Sequence, residues 1–136
     1  MKSRASLIFL FLLSFLFSCG QENEHIVIGV SQCSEDSWRQ KLKQELIMTT
    51  YFNPGVELIF TSANDDSELQ QRQIDSLVNC GIDLLIVSPN QVDLLSSAVD
   101  RAYDKGIPVI LFDRKIDSEK YTAFMGADNF QIGKMI

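Results

Sequence analysis

Three stretches of this chain share one grammar, and that grammar leaves few folds open: Gly55-Val-Glu-Leu-Ile-Phe-Thr-Ser, Gly81-Ile-Asp-Leu-Leu-Ile-Val-Ser-Pro and Gly106-Ile-Pro-Val-Ile-Leu-Phe-Asp-Arg. Each is a glycine followed by an apolar run too short for a helix and closed by polar residues, which reads as a strand entered from a helix end. In the third, Pro108 also keeps a helix from resuming. The glycines recur about 25 residues apart, which suits one helix plus one strand and is shorter than most solenoid repeats. The runs are continuous rather than alternating, as expected of strands covered by helices on both faces. An α/β domain with a doubly wound parallel sheet follows.

Taken in order, Ile26 to Ser31 is the first strand, and a helix is expected from about Ser37 to Tyr51 with Trp38, Leu42, Leu46 and Thr49 or Thr50 on one face. Asn53-Pro54-Gly55 stops it. After a second strand from Val56 to Thr61, Ser67-Glu-Leu-Gln70 has the spacing of a capping box, opening a helix whose inner face is Leu69, Ile74, Leu77 and Val78. The third strand, Asp83 to Ser88, leads to a helix with Val92, Leu95, Val99 and Ala102 at helical spacing. A fifth strand is expected from Tyr121 to Gly126, and Asp128 is placed to cap a helix from Asn129 or Phe130. The sequence stops at Ile136, within the first turns of that helix, so the domain is expected to be incomplete at its carboxyl end.

Residues 1–18 stand apart. Lys2 and Arg4 precede an apolar run from Ala5 to Phe17 that ends at Ser18-Cys19, the layout of a secretory signal and too short to span a bilayer comfortably. Leu16-Phe17-Ser18-Cys19 also resembles the bacterial lipobox, which would put lipid on Cys19; ordinary cleavage and an uncleaved anchor are the alternatives. Residues 19–25 then form a tether, and the domain occupies 26–136. Without the signal, ten basic groups face eighteen acidic ones, a balance of −8, so nucleic acid is not an expected partner. Cys33 follows the first strand while Cys80 closes a helix at the other end of the sheet, roughly 17–20 Å away. A disulfide needs Cα atoms within about 7 Å, so two unpaired, mostly buried thiols are expected.

Open parallel sheets bind ligands beyond the carboxyl ends of their strands. There this chain carries Ser31 and Gln32, Asn64 and Asp65, Asn90 and Gln91, Asp113 and Arg114, and Asp128, with its single tryptophan, Trp38, on the same rim. A carboxylate accepts from hydroxyls, a guanidinium donates in a planar fork and an indole covers the C–H face of a sugar ring, so the set suits a neutral polyol. Other chemistries are not signalled. There is no GxGxxG or GxxxxGK[ST], so no nucleotide cofactor is expected. The one histidine, His25, precedes the domain, and no Cys or His falls at metal spacing, so neither a hydrolytic triad nor zinc is expected. A phospho-acceptor domain of the receiver type would need an Asp after the third strand and an acidic pair after the first, where Ser88 and Ser31-Gln32 stand. The reading is non-enzymatic.

The motifs VIGVS at 27–31, GIDLLIVSPN at 81–90, GIPVILFDR at 106–114 and MGADNFQIGK at 125–134 together resemble the amino-terminal lobe of periplasmic sugar-binding proteins of the ribose- and galactose-binding type, related in fold to the ligand domains of lactose-repressor-like regulators. The resemblance implies a type I binding-protein lobe with sheet order 2-1-3-4-5 and a ligand held between two lobes. It implies ligand contacts from Asp113 and Arg114, and from the start of the first helix, where Asp36, Trp38 and Arg39 occupy the positions of an amide and two aromatics. Asn90 is a further candidate from its strand exit. The segment SQCSEDSWRQKL at 31–42 is also similar to the sensor regions of certain hybrid two-component kinases. The implied partners are a sugar and either an inner-membrane permease, in a sugar transporter, or the kinase portion of a longer chain, with the membrane reached only through the N-terminus. A truncated product without binding activity is the remaining alternative.

Overall fold

The computed structural model describes residues 25–127 and 129–135. Its elements are β1 (Ile26–Gln32), α1 (Ser37–Thr50), β2 (Val56–Ser62), α2 (Ser67–Asn79), β3 (Leu84–Ser88), α3 (Val92–Asp104), β4 (Val109–Phe112), β5 (Ala123–Met125) and α4 (Asn129–Met135). The five strands pair in parallel, as the repeated runs lead one to expect, in the order β2-β1-β3-β4-β5 that the family resemblance implies. The lipidation expected at Cys19 and the cap expected at Asp128 lie outside the described residues.

The glycine grammar has its physical basis at two of its three positions. Gly81 and Gly106 adopt φ of +81° and +85°, the left-handed conformation that ends a helix at no steric cost only for glycine. Each follows its helix directly and turns the chain into the next strand. Gly55 works differently. Helix α1 ends at Thr50, and a turn in which Val56 N donates to Asn53 O at 2.9 Å carries the chain into β2.

The two faces of the sheet are unequal. Leu85 and Val87 of β3 and Val109 and Leu111 of β4 are fully buried beneath Ile74 and Leu77 of α2 and Leu95, Ala98, Val99 and Ala102 of α3. Burying each such Val, Leu or Ile is worth about 1.5–3 kcal/mol, so this side holds the core. On the other side Ile86, Ile110 and Phe112 are half-buried. There α1 lies over the β1–β2 edge, with Leu46 and Thr50 facing Ile28 and Leu58 across a small apolar hollow of about 140 Å³. Coverage on both faces, the expectation from the continuous runs, is thus complete on one face and partial on the other among the described residues.

Three local expectations are corrected. The capping box at Ser67–Gln70 does not form: Asp66 is the N-cap, its carboxylate accepting from Leu69 N at 2.9 Å, and Gln70 is fully buried in the interior. Cys33 and Cys80 are both unpaired, but Cys80 is exposed, because it caps α2 at the solvent end, beyond the last residue that faces the core. The face expected for α1 is only half-buried at Leu42, Leu46 and Thr50, while Thr49 and Trp38 are exposed; the buried residue of α1 is Arg39. Apolar periodicity could not find a charged residue turned inward.

The inequality of the faces is testable by truncation. Leu111→Ala should cost about 2–5 kcal/mol of stability, and Ile110→Ala clearly less, as read from urea midpoints at constant m. Equal losses would mean that both faces are covered alike.

Candidate functional site

The site grows from the way α1 starts. Asp36 has an extended backbone and its Oδ1 accepts from Trp38 N at 3.0 Å and Arg39 N at 2.9 Å, satisfying two of the helix's orphan N–H groups. Ser34 Oγ donates to Asp36 Oδ2 at 2.9 Å. Led by the backbone hydrogen bond from Arg39, these contacts hold the Asp36 carboxyl at about 2, below its ordinary 3.8. The cap therefore sets the direction in which the next residues, Trp38 and Arg39, leave the helix.

Arg39 turns inward and joins three elements. Its Nη1 pairs with Asp36 Oδ2, and its Nη2 lies 3.3 Å from Ser88 Oγ at the end of β3 and 3.2 Å from Asp113 Oδ2 just beyond β4. Its backbone carbonyl accepts from Gln32 Nε2 at 3.1 Å, at the end of β1. Arg39 Nε, also buried, has no hydrogen-bond acceptor; the guanidinium carbon lies 5.6 Å from the Trp38 ring centroid. Trp38 in turn stacks on Phe112, the last residue of β4, with centroids 5.1 Å apart and planes 21° from parallel. Half of Trp38 remains exposed.

Asp113 has φ of +72°, a conformation uncommon for a residue with a side chain and tolerated best by Asn and Asp. Its own N–H donates to Met125 O at 2.9 Å, which ties the turn to β5. The carboxylate stands between two guanidinium groups, 3.2 Å from Arg39 and 3.8 Å from Arg114 Nε. Together Asp113, Arg114, Phe124, Gly126 and Ala127 line an open hollow of about 740 Å³, a volume within the usual range for small-molecule sites.

A second polar chain runs beneath. Gln70 donates from Nε2 to Ser31 Oγ at 3.2 Å and to Ser88 O at 2.9 Å, and its Oε1 accepts from Asn90 N at 2.9 Å. One fully buried amide thus ties the exits of β1 and β3 together. Asn90 directs its side-chain nitrogen to Asp65 O at 2.7 Å and Ser67 Oγ at 3.0 Å, and its carbonyl accepts from Arg114 Nη1 at 2.9 Å.

Of the residues singled out in the sequence, Asp36, Arg39, Asp113 and Arg114 are brought into one chain of charges, and Trp38 adjoins it on Phe112. Asn90 is joined to them through its backbone carbonyl, with its amide turned toward the start of α2. Gln70, Ser88 and Phe112 were not foreseen. Phe112 could have been, as the last residue of a strand that Asp113 follows; for Gln70 no motif signals a buried amide. Among the described residues no group of three acidic, His or Cys side chains is placed to hold a metal ion.

Residues 26–136 match the family described as periplasmic binding protein domain. The D-xylose-binding periplasmic protein of Haemophilus influenzae is 26% identical over 135 residues, covering 99% of this chain and 41% of that protein. The ribose import binding protein of Bacillus subtilis is 31% identical over 81 residues, 60% of this chain and 27% of that one. Among solved structures, the fructose-binding periplasmic domain of a hybrid two-component system is 48% identical with a TM-score of 0.79, over 82% of this chain and 37% of that domain. A solute-binding protein of an ABC transporter from Bacillus halodurans, with bound myo-inositol, is 26% identical with a TM-score of 0.73, over 85% and 43%. The chain thus spans less than half the length of these relatives.

Two outcomes check this geometry. Stability that Asp36 gains from ionisation is present above the ordinary carboxyl value of 3.8 and lost as pH falls toward about 2; Trp38 fluorescence should therefore stay constant from pH 8 to 5 and change between about pH 4 and 2. Asp36→Asn, which can still cap, should flatten that transition. Gln70→Leu, which strands Asn90 N and Ser31, should lower stability by about 1–3 kcal/mol in urea unfolding, whereas Gln44→Leu, at an exposed position of α1, should lie within about 0.5 kcal/mol of the parent.

Proposed function

The chain belongs to the periplasmic binding protein domain family, and from that premise we propose that it binds a monosaccharide or a similar small neutral polyol outside the inner membrane. The observation that carries the reading is Asp113, held in a left-handed turn between two guanidinium groups at the mouth of an open hollow. Its carboxylate accepts from hydroxyls, Arg114 donates to hydroxyl or ring oxygens, and the exposed part of Trp38 offers a flat apolar face to a C–H surface. Arg39 and Asp36 act in this reading by fixing Asp113 and Trp38, and Asn90 by fixing Arg114. Xylose, ribose, fructose and myo-inositol, named for the relatives, share the chemistry this set suits. The N-terminal segment serves as export signal and tether, with Cys19 as the lipid-bearing residue.

Two assemblies fit such a lobe. One is the substrate-binding component of a sugar transporter, as the relatives of Bacillus subtilis and Bacillus halodurans are named. The 48% identity to the fructose-binding periplasmic domain of a hybrid two-component system, against 26% to 31% for these receptors, favours the other: the periplasmic sensor of a hybrid two-component kinase. Reading the gene beyond codon 136 separates them, since a sensor continues into a membrane-spanning helix and kinase domains.

Binding is tested by calorimetric titration of the folded chain with xylose, ribose, fructose and myo-inositol. Millimolar or tighter binding of one of them is expected, weakened about 10- to 100-fold in Asp113→Asn, which keeps the left-handed turn but removes the charge. A folded chain that gives no heat with any of the four, or binding that Asp113→Asn leaves unchanged, would sink the proposal.

A further inference from the structure

The end of the sheet opposite the Asp113 rim carries an apolar surface that the binding site does not use. At the end of α1, Ile47 and Met48 are exposed, and Tyr51 and Phe52 are 80% and 83% exposed. In a chain whose residues are 22% charged, positions 46 to 56 carry no charge at all. Charged groups bound this stretch on both sides, Lys41 with Glu45 at 2.6 Å on α1 and His25 beside Glu57 at 3.3 Å where β1 and β2 begin. Exposed apolar side chains grouped in this way, with no charge among them, make a candidate contact surface.

The path of the chain identifies what meets it. Ile26 N donates to Gly55 O at 2.8 Å, so the polypeptide enters β1 three residues from Phe52. Between the apolar run that ends at Ser18 and this point lie the seven residues of the tether, Cys19 to His25, which reach at most about 25 Å when fully extended. A segment held in a bilayer at residue 18 or 19 therefore keeps the start of β1, beside the Tyr51–Phe52 end of the domain, within about 25 Å of the membrane surface. Tyr and Phe are suited to that depth, where one part of a ring is apolar and its surroundings are wet. The rest of the domain, with its excess of acidic groups, would be repelled by anionic headgroups; the uncharged stretch is where approach is not opposed.

We propose that Tyr51, Phe52 and Met48 form a bilayer-docking surface that seats the domain on the membrane with the Asp113 rim facing away from it. The proposal rests on the tether reading of the N-terminal segment, and the test separates the two. The full chain, with Trp38→Phe and Phe52→Trp so that position 52 holds the only indole, is reconstituted with vesicles of phosphatidylethanolamine and phosphatidylglycerol. Flotation reports the tether. Bromine-labelled phospholipid reports contact at position 52. Co-flotation with blue-shifted emission that the brominated lipid quenches is the expected result, with the parent's Trp38 unquenched in the same vesicles. Co-flotation without quenching at position 52 overturns the docking surface and leaves the tether standing. A blue shift without quenching assigns the face to a second protein copy and overturns it equally, and failure to float overturns both. Phe52 projects into solvent, and a phenyl ring at position 38 keeps an aromatic partner for Phe112; an unchanged far-UV spectrum and urea midpoint of the double variant check that α1 stays in place.

Discussion

The rim depends on one buried cation. Arg39 is 7% exposed and reaches from the first turn of α1 to the ends of β3 and β4, so the helix start and two strand exits are held by a single guanidinium. Removing such a charge from water costs several kcal/mol, offset only when several partners surround it. Here Asp36, Ser88 and Asp113 supply them. The arrangement therefore adds little net stability, and its consequence is geometric: any partner lost leaves a buried charge poorly compensated, so the four residues keep one relative position. Asp113 gains most. Its left-handed backbone costs of order 1 kcal/mol or more, and the ion pairs to Arg39 and Arg114, with the Met125 hydrogen bond, hold it there.

Gln70 does for the neutral backbone what Arg39 does for the charges. The carboxyl ends of parallel strands carry carbonyls and N–H groups that the sheet no longer pairs, and a buried polar group without a partner costs about 1–3 kcal/mol. An amide has a donor and an acceptor end, and Gln70 uses both, so Ser31, Ser88 and Asn90 are satisfied by one side chain. Asn90 then presents its carbonyl to Arg114. The two networks meet at Ser88, whose hydroxyl oxygen accepts from Arg39 and whose carbonyl accepts from Gln70. The rim is thus one connected polar layer resting on an apolar core, rather than five independent loops.

The architecture was legible because its signals are local and redundant. Gly81 and Gly106 combine a helix stop with a required backbone conformation, and the runs that follow them have room for nothing but strands. The exit residues Asp113 and Arg114 could be placed at the rim for the same reason. What the sequence hid was orientation. Arg39 carries a charge and would ordinarily be assigned to solvent, and only the three-dimensional meeting of α1, β3 and β4 supplies the partners that let it turn inward. The supposed capping box at Ser67–Gln70 failed on the same ground: Asp66 was as good a cap, and the interior had a stronger use for Gln70. Cys80 was read as buried from its place at a helix end, where a single residue decides between core and solvent.

The half-covered face of the sheet links packing to the site. Ile86, Ile110 and Phe112 run along it toward the rim, and the last of them, Phe112, is covered by Trp38. Aromatic stacking of this kind contributes about 0.5–1.5 kcal/mol beyond the area it buries, on a face where α1 has no buried apolar residue of its own. The Trp38–Phe112 stack and the Arg39 cluster therefore act as the clasp that holds the start of α1 to the sheet. The residues that would meet a ligand are the same residues that keep the helix in place. On the proposed binding role, order in the lobe and readiness of the site are one equilibrium: a ligand that engages Asp113 and Trp38 would also tighten the seam between α1 and the sheet, and a substitution that loosens α1 would weaken binding without touching the ligand.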